Sequence, residues 1–225
     1  MNKSLILLSG GLDSLVSLAY AIEKYNINFA LTFDYGQRAA KKEIAASKAV
    51  TDYFNIAHKV IELPFLAGIT QTSLVNTGLN LPELKSGELD NPELTNASAK
   101  NVWVPNRNGL FLNIAACFSD SFEYSNIIFG ANREEGTTFH DNTQEFIDRI
   151  NESFEYSTLI KPKVIAPLIN FDKTEIIKLA VEIKAPLHLV RSCYTDEDKH
   201  CGKCESCMRL NRALQAVGLT SPEIF

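Results

Sequence analysis

The sequence has no apolar run of the roughly 20 residues that a helix needs to cross a bilayer. Its apolar stretch near the start, residues 5–8, ends at Ser9-Gly10-Gly11 and is too short for the core of a secretory signal. A buried strand explains this stretch better. We therefore expect a soluble, cytoplasmic protein with no membrane partner.

Positive charge is also scarce. The chain has 22 Lys and Arg against 27 Asp and Glu, which gives a net charge of −5. Proteins that hold a nucleic-acid backbone by electrostatics usually carry an excess of basic residues. The composition therefore favours a small-molecule substrate, and we expect no direct contact with nucleic acid.

Cysteine is sparse and unevenly placed, with five in the chain. Cys117 lies alone in an apolar helical stretch, where we expect a buried, inert thiol. The others follow the spacing Cys193-x7-Cys201-x2-Cys204-x2-Cys207. Without an export signal, such clustering favours a metal over disulfides. Four thiolates suit tetrahedral Zn²⁺ with no open position, so we expect a structural zinc site; an iron–sulfur cluster or two disulfides are the alternatives.

Apolar runs of strand length alternate with segments of helical period. The predicted strands are residues 3–8, 28–34, 59–63, 126–130 and 164–167, and the predicted helices are residues 14–24, 38–54, 109–122, 142–154 and 173–183. This alternation predicts an α/β fold with a doubly wound, mainly parallel sheet. Ligands of such sheets bind beyond the carboxyl ends of the strands, so the loops after Leu8, Asp34 and Gly130 should converge on one site.

The regular pattern is broken once along the chain. Residues 64–101 are rich in Asn, Thr, Ser, Gly and Pro, which predicts a mobile insert or lid. We divide the chain into an α/β domain, residues 1–190, and a small four-cysteine zinc subdomain, residues 191–225.

A glycine-rich loop joins the first predicted strand to the first helix. Its sequence is Ser9-Gly10-Gly11-Leu12-Asp13-Ser14. Glycines let successive N–H groups face one anion, and the helix N-terminus adds a positive dipole end. Asp13 fits beside a phosphate only as a helix cap or as a ligand of Mg²⁺. The loop lacks the Lys-Ser/Thr pair of a Walker A motif, and a simple tight turn is the alternative.

This loop resembles the SGGxDS signature of the PP-loop ATP pyrophosphatase superfamily, whose fold is Rossmann-like. The resemblance implies that a substrate oxygen attacks the α-phosphate of ATP and that the loop holds the departing pyrophosphate, with Asp13 and Ser14 in catalytic roles. The stretch Phe33-Asp34-Tyr35-Gly36-Gln37-Arg38 matches the place of the adenosine. The implied nucleotide contacts are Leu8, Ser9, Gly10, Gly11, Leu12, Asp13, Ser14, Leu15, Val16, Ser17, Leu18, Asp34, Tyr35 and Gln37.

A third motif is Val104-Pro105-Asn106-Arg107-Asn108, in which Arg107 could pair with a phosphate or carboxylate or could simply lie on the surface. With the two motifs above and the cysteine cluster, residues 3–214 resemble the 7-cyano-7-deazaguanine synthase family. The resemblance implies an ATP-dependent C–N ligase, a homodimer, that converts 7-carboxy-7-deazaguanine and ammonia to the nitrile precursor of queuosine and archaeosine through adenylated intermediates. Arg107 would be catalytic, and ATP, Mg²⁺ and Zn²⁺ would be its cofactors.

One loop departs from the family pattern. Residues 130–142 replace a Glu-Thr-Asp…Ser-Gly-Tyr-Pro-Asp-Cys stretch of many bacterial members, in the loop expected to bind the deazaguanine. Phe139 could stack on the base or only cover the core, and the acids could bind its N–H groups or only face solvent. A relative acting on another acid or a macromolecule stays open, as does a tRNA-thiolating enzyme. The predicted substrate contacts are Arg107, Asn132, Arg133, Glu134, Phe139 and Asp141.

Overall fold

A computed structural model describes residues 3–220, and its strands form one parallel sheet within that range. The strands are β1 (Lys3–Leu7), β2 (Ile27–Asp34), β3 (Ala57–Glu62), β4 (Tyr124–Ile128) and β5 (Lys163–Ile165). Their order across the sheet is β3-β2-β1-β4-β5, and every neighbouring pair is parallel. The predicted parallel sheet is confirmed.

The α-helices of the described chain lie between these strands and after the last one. They are α1 (Leu12–Tyr25), α2 (Ala40–Phe54), α3 (Pro64–Ile69), α4 (Pro92–Val102), α5 (Arg107–Phe122), α6 (Arg133–Gly136), α7 (Gln144–Ser157), α8 (Lys173–Glu182) and α9 (Glu205–Ala216). Short 3₁₀ helices cover Ser86–Glu88, His140–Asn142 and Leu187–Leu189. Among these residues no helix is both long and apolar enough to cross a membrane.

The central strand β1 divides the core into two layers. Ile6 belongs to the layer that contains α1, α8 and α9, while Leu5 and Leu7 belong to the layer that contains α5 and α7. This alternation follows from the two-residue period of a strand. Each fully buried Leu or Ile contributes about 1.5–3 kcal/mol, so both faces must be covered by helices. The doubly wound arrangement is confirmed.

Residues 64–101 are less irregular than their composition indicates. They contain α3 and nearly all of α4. The start of α4 carries ordinary signals, because the Asn91 side chain accepts from the N–H groups of Glu93 and Leu94, and Pro92 follows it. The mobility of this segment stays a prediction.

Two features of the C-terminal half differ from expectation or extend it. Cys117 is exposed, not buried, because α5 turns Leu112, Ala115 and Ala116 inward and places residue 117 on the opposite side. Helix α9, which the pattern did not predict, packs Leu210 into the same core layer as α1 and α8. The division of the chain near residue 190 stays a prediction.

Candidate active site

The glycine loop has a fixed shape and an uncapped helix behind it. Gly10 has a φ of +77°, and a Cβ there would lie 2.8 Å from the Cβ of Ala46, so only glycine fits. The Ser14 hydroxyl accepts from the N–H of Ser9 at 3.2 Å and donates to the carbonyl of Gly11 at 3.1 Å. No side chain caps the first turn of α1. Its free N–H groups therefore form an anion-binding position.

A cavity of about 230 Å³ lies over this loop, at the carboxyl ends of β1, β2 and β4. The loops after β1, β2 and β4 thus converge on one cavity, as predicted. The predicted nucleotide contacts that line the cavity are Leu8, Ser9, Gly11, Leu12, Asp13, Ser14 and Tyr35.

The other predicted nucleotide contacts support this cavity from behind. Leu15, Val16 and Leu18 lie in the core, and Ser17 is fully buried beside them. Gln37 holds the turn after β2, since its side chain accepts from the Tyr35 N–H and donates to the Phe33 carbonyl. Asp34 accepts from the Gly36 N–H. These residues, with Gly10, fix the backbone, and their direct contact with ATP stays a prediction.

Asp13 shares a buried lysine with a second carboxylate. The Nζ of Lys173 lies 2.5 Å from Asp13 Oδ2 and 2.7 Å from Glu135 Oε1. Burial raises the pKa of Asp13 to about 6, although Lys173 acts in the opposite direction. Burial also opposes ionisation of Glu135, but Lys173 outweighs it and lowers the pKa of Glu135. Two carboxylates facing the cavity are thus balanced by one cation.

Sequence reasoning missed Lys173. It occupies the first position of α8, after the Asp172 cap, where a positive charge opposes the helix dipole. Asp13 and Glu135 raise its pKa against the effect of burial, so the ammonium stays charged. An unfavourable lysine in a first turn was the available signal. Its partners could not be foreseen, because they lie far away along the chain.

Arg107 joins the first cavity to a second one of about 90 Å³. Asn106, with a φ of +51°, turns the chain into α5, and the Arg107 guanidinium lies 3.5 Å from the Tyr35 hydroxyl. Burial alone would lower the pKa of Arg107, but Tyr35 and Asp141 reverse this and raise it. Arg107, Glu135 and Tyr194 line both cavities. Arg107 therefore lines the two cavities and does not simply lie on the surface, which was the alternative.

Two of the predicted base-binding residues, Phe139 and Asp141, line the second cavity. The Phe139 ring lies parallel to that of Trp103, with centroids 6.2 Å apart and 8° between their planes. Burial raises the pKa of Asp141, although Arg107 acts in the opposite direction. An aromatic surface, a carboxylate and a guanidinium thus border one small space.

The remaining predicted substrate contacts hold the loop in place. Asn132 is fully buried and caps α6 through the Glu135 N–H. Arg133 faces outward and pairs with Asp172 and Glu175. Neither residue lines the two cavities above, nor does Glu134, which pairs with arginines of α9. Contact of these three residues with a substrate stays a prediction.

The four clustered cysteines come together as predicted. Their sulfurs all lie within 4.8 Å of one another, and none is in a disulfide. Tetrahedral zinc with Zn–S bonds of about 2.3 Å needs sulfurs roughly 3.8 Å apart, so a small contraction completes the site. Backbone N–H groups of Thr195 and Cys201 donate to the Cys193 sulfur at 3.4 and 3.3 Å, as suits a thiolate. The cluster fits structural zinc.

The cysteine segment also contacts both parts of the candidate site. The N–H of Arg191 donates to the carbonyl of Gly10 at 2.8 Å, which fastens the segment to the glycine loop. Arg209 of α9 lies 2.6 Å from Glu134 and 2.8 Å from Glu205, and its side chain is 13% exposed. The cysteine segment is therefore a direct neighbour of the glycine loop and of α6.

Comparisons with known proteins agree with this arrangement. The chain is 48% identical to the 7-cyano-7-deazaguanine synthase of Methanosarcina barkeri, over 98% of this chain and 96% of that one. It is 49% identical to the enzyme of that name from Carboxydothermus hydrogenoformans, over 95% and 98%. A solved 4-thiouridine synthetase–RNA complex with bound ATP has a TM-score of 0.52 at 17% identity, covering 96% of this chain and 51% of that one, a likeness of fold alone.

The comparison with protein families covers almost all of the described chain. The family described as Queuosine biosynthesis protein QueC matches residues 3–218. This range contains the glycine loop, the Arg107 motif, the altered loop at residues 130–142 and the cysteine cluster. The resemblance found in the sequence is confirmed, and the chain belongs to the QueC family.

Proposed function

We propose that this protein is an ATP-dependent C–N ligase that converts 7-carboxy-7-deazaguanine and ammonia to 7-cyano-7-deazaguanine, the nitrile precursor of queuosine and archaeosine. One observation carries the proposal. In a chain nearly half identical to proteins named for this activity, a cavity over an uncapped glycine loop opens at Arg107 into a second cavity. The first cavity suits ATP and the second suits the acid to be activated.

The nucleotide takes the first cavity. Its phosphates lie against the N–H groups of the glycine loop and the start of α1, where negative charge on the leaving pyrophosphate is stabilised. Lys173, paired with Asp13 of the loop, adds a positive charge to the cavity lining. The adenosine lies toward Tyr35 and Phe33, at the end of β2.

Magnesium accompanies the triphosphate. Asp13 Oδ1 is buried and has no hydrogen-bond partner, while Oδ2 pairs with Lys173. An unpartnered carboxylate oxygen at a phosphate position is a ligand of the kind that Mg²⁺ prefers. The bound ion would offset the phosphate charge beside Asp13.

The substrate carboxylate lies at Arg107, where the two cavities meet. A guanidinium binds a carboxylate through two parallel hydrogen bonds, which fixes the oxygen that attacks. Burial raises the pKa of Tyr35 to about 12, so its hydroxyl stays protonated beside Arg107. The arrangement orients the substrate carboxylate toward the ATP phosphates, and the Arg107 guanidinium reduces the repulsion between these two anions.

The chemistry proceeds by two activations of the same carbon. A carboxylate oxygen attacks the α-phosphorus of ATP, pyrophosphate leaves, and an acyl adenylate forms. Ammonia attacks the acyl carbon and AMP leaves, which gives the amide. The amide oxygen then attacks the α-phosphorus of a second ATP, and pyrophosphate leaves. Loss of that oxygen with AMP, and of two protons from the nitrogen, leaves the nitrile. Each adenylation turns a poor leaving oxygen into a good one, so one ATP site serves both steps.

The same proposal also predicts the location, oligomeric state and partners of the enzyme. The enzyme would work in the cytoplasm as a homodimer, with small-molecule substrates and without direct contact to tRNA. A gel-filtration mass of two chains would support the dimer, and a monomeric mass would contradict it.

Mass spectrometry of a complete reaction tests the activity. Zinc-replete protein is incubated with ATP, magnesium, ammonium and 7-carboxy-7-deazaguanine, and the nitrile, AMP and pyrophosphate are measured. All three products are expected, and Asp13→Asn should yield none. Folded protein that forms no nitrile would refute the substrate assignment. AMP release with a different acid would then show that the loop at residues 130–142 binds another substrate.

A further inference from the structure

Two aromatic rings from distant segments line the second cavity. Trp103 ends α4, and Phe139 precedes the 3₁₀ helix His140–Asn142. Their rings lie 8° from parallel with centroids 6.2 Å apart, and both line the cavity. Trp103 is 39% exposed, so its ring can be reached from solvent.

The backbone that carries each ring is held by hydrogen bonds. The Trp103 carbonyl accepts from the Thr72 hydroxyl at 2.8 Å. The N–H of Phe139 donates to the Glu135 carbonyl at 2.8 Å, and its own carbonyl accepts from the Asn142 N–H at 3.0 Å. A planar heterocycle gains most from rings that are already positioned, because little side-chain freedom is then lost on binding.

Charged groups of both signs line this cavity. Arg107 lies where the cavity meets the nucleotide site, whereas Asp141 lines the second cavity and not the first. In 7-carboxy-7-deazaguanine the carboxylate is on the five-membered ring, and the N–H and amino donors are on the far edge of the six-membered ring. The cavity therefore offers a guanidinium to the carboxylate and a carboxylate to the N–H edge of this molecule.

We infer that Trp103 is a substrate-binding residue, and that the deazaguanine ring stacks on the Trp103–Phe139 pair with its carboxylate toward Arg107 and its N–H edge toward Asp141. The inference rests on the proposed function, because it names where the substrate of that function binds. Trp103 precedes Arg107 by only four positions, so one short segment would hold both the ring and the carboxylate.

The chain contains a single tryptophan, which makes binding directly visible. Stacking of a heterocycle on an indole quenches its emission, so titration with 7-carboxy-7-deazaguanine should quench the fluorescence saturably. Acetate, which has the carboxylate without the ring, should leave the emission unchanged. This measurement uses the wild-type protein and requires neither turnover nor a variant that folds.

Two variants test the same residue kinetically. Trp103→Ala should raise KM for the deazaguanine roughly 10-fold or more with little change in kcat or in KM for ATP, because base stacking contributes to binding. Trp103→Phe should restore most of the affinity. Tyr156→Ala, at a side chain 93% exposed outside the cavity lining, is the matched control and should leave KM unchanged.

The outcomes separate this inference from the proposed function. Nitrile formation without any quenching, together with an unchanged KM in Trp103→Ala, would overturn the inference and leave the function standing. If no nitrile forms, the proposed function fails. Saturable quenching would in that case still support a ring-binding site at Trp103, and unchanged emission would refute it.

Discussion

The two carboxylate oxygens of Asp13 have different surroundings. It is held by Lys173 through one oxygen, while the other oxygen has no partner. Its pKa is raised to about 6, so on acidification it takes up a proton at a higher pH than an ordinary aspartate does. Above this pH the ionised carboxylate is available to a cation, and below it the ligand is neutral.

Magnesium dependence should therefore change across this pKa. We predict that the magnesium concentration needed for half-maximal pyrophosphate release rises as the pH falls through about 6. Measurements on either side of that pH test this, with ATP and acid saturating. A magnesium requirement that is the same on both sides would show that Asp13 does not hold the ion.

Lys173 allows a second test at the scale of the residue. Lys173→Met keeps the length of the side chain and leaves Asp13 and Glu135 without their cation. Removing one partner of a buried ion pair costs about 3–5 kcal/mol, so we predict a lower melting temperature together with loss of pyrophosphate release. Lys178→Met, exposed on the same helix, is the control and should behave like wild type. Equal activity of both variants would contradict the role of Lys173.

Among the elements, the segment after β4 lies very close to the start of α1. A Cβ added at Gly130, two residues after β4, would lie 2.9 Å from the N atom of Ser14 and 3.0 Å from its Cα. Neither backbone atom can yield without moving the start of α1. Displacement of a reacting group by 1 Å costs roughly 100-fold in rate.

We therefore predict that Gly130→Ala lowers the rate of pyrophosphate release about 100-fold while the protein still folds. Gly87→Ala is the matched control, because nothing lies within 4 Å of a Cβ there. Steady-state kinetics and circular dichroism of both variants provide the measurement. A Gly130→Ala enzyme with wild-type kinetics would show that the loop tolerates the shift.

Elements with a local signal could be predicted from the sequence, and those without one could not. The strand at residues 3–8 and the loop at residues 9–14 follow from a short apolar run, adjacent glycines and a helical repeat. Helix α4 was missed because polar composition outweighed its Asn91-Pro92 start. Helix α9 was missed because the cysteine spacing, which overlaps its first turn, obscures its start.

The composition of the site was harder to predict than the fold. Arg107 was predicted as a site residue because its segment matches a family motif. Phe139 was predicted because its aromatic ring could stack on a base. Arg191 and Tyr194 also line the first cavity, yet no local pattern marks them. Lys173 lines it too, and its only signal is its unfavourable place in the first turn of α8. Their position depends on how α8 and the cysteine segment pack against the sheet, which periodicity along one segment does not reveal.

At the scale of the whole molecule, the cysteine cluster holds the C-terminal segment against the active site. Zinc binding contributes on the order of 10 kcal/mol in small zinc domains. We predict that Cys204→Ser loses bound zinc, melts at lower temperature and is recovered poorly as soluble protein. Cys117→Ser, at an exposed cysteine outside the cluster, should keep all three properties.

Metal analysis and thermal unfolding of both proteins test this prediction. A folded, active, zinc-free Cys204→Ser variant would contradict the structural role. Iron in place of zinc, with a brown colour, would instead identify an iron–sulfur cluster.

The pairing of Asp13 with Lys173 has a consequence for the newly made chain, because these residues are separated by 160 positions. The arginine at position 191 meets the loop even later in synthesis. Ribosomes add about 5–20 residues per second, so several seconds separate the emergence of Asp13 from that of its partners. During this interval the Asp13 carboxylate lacks the lysine that is its counter-ion in the folded protein. The nascent protein should thus acquire a working catalytic centre only after Lys173 and Arg191 have left the ribosome.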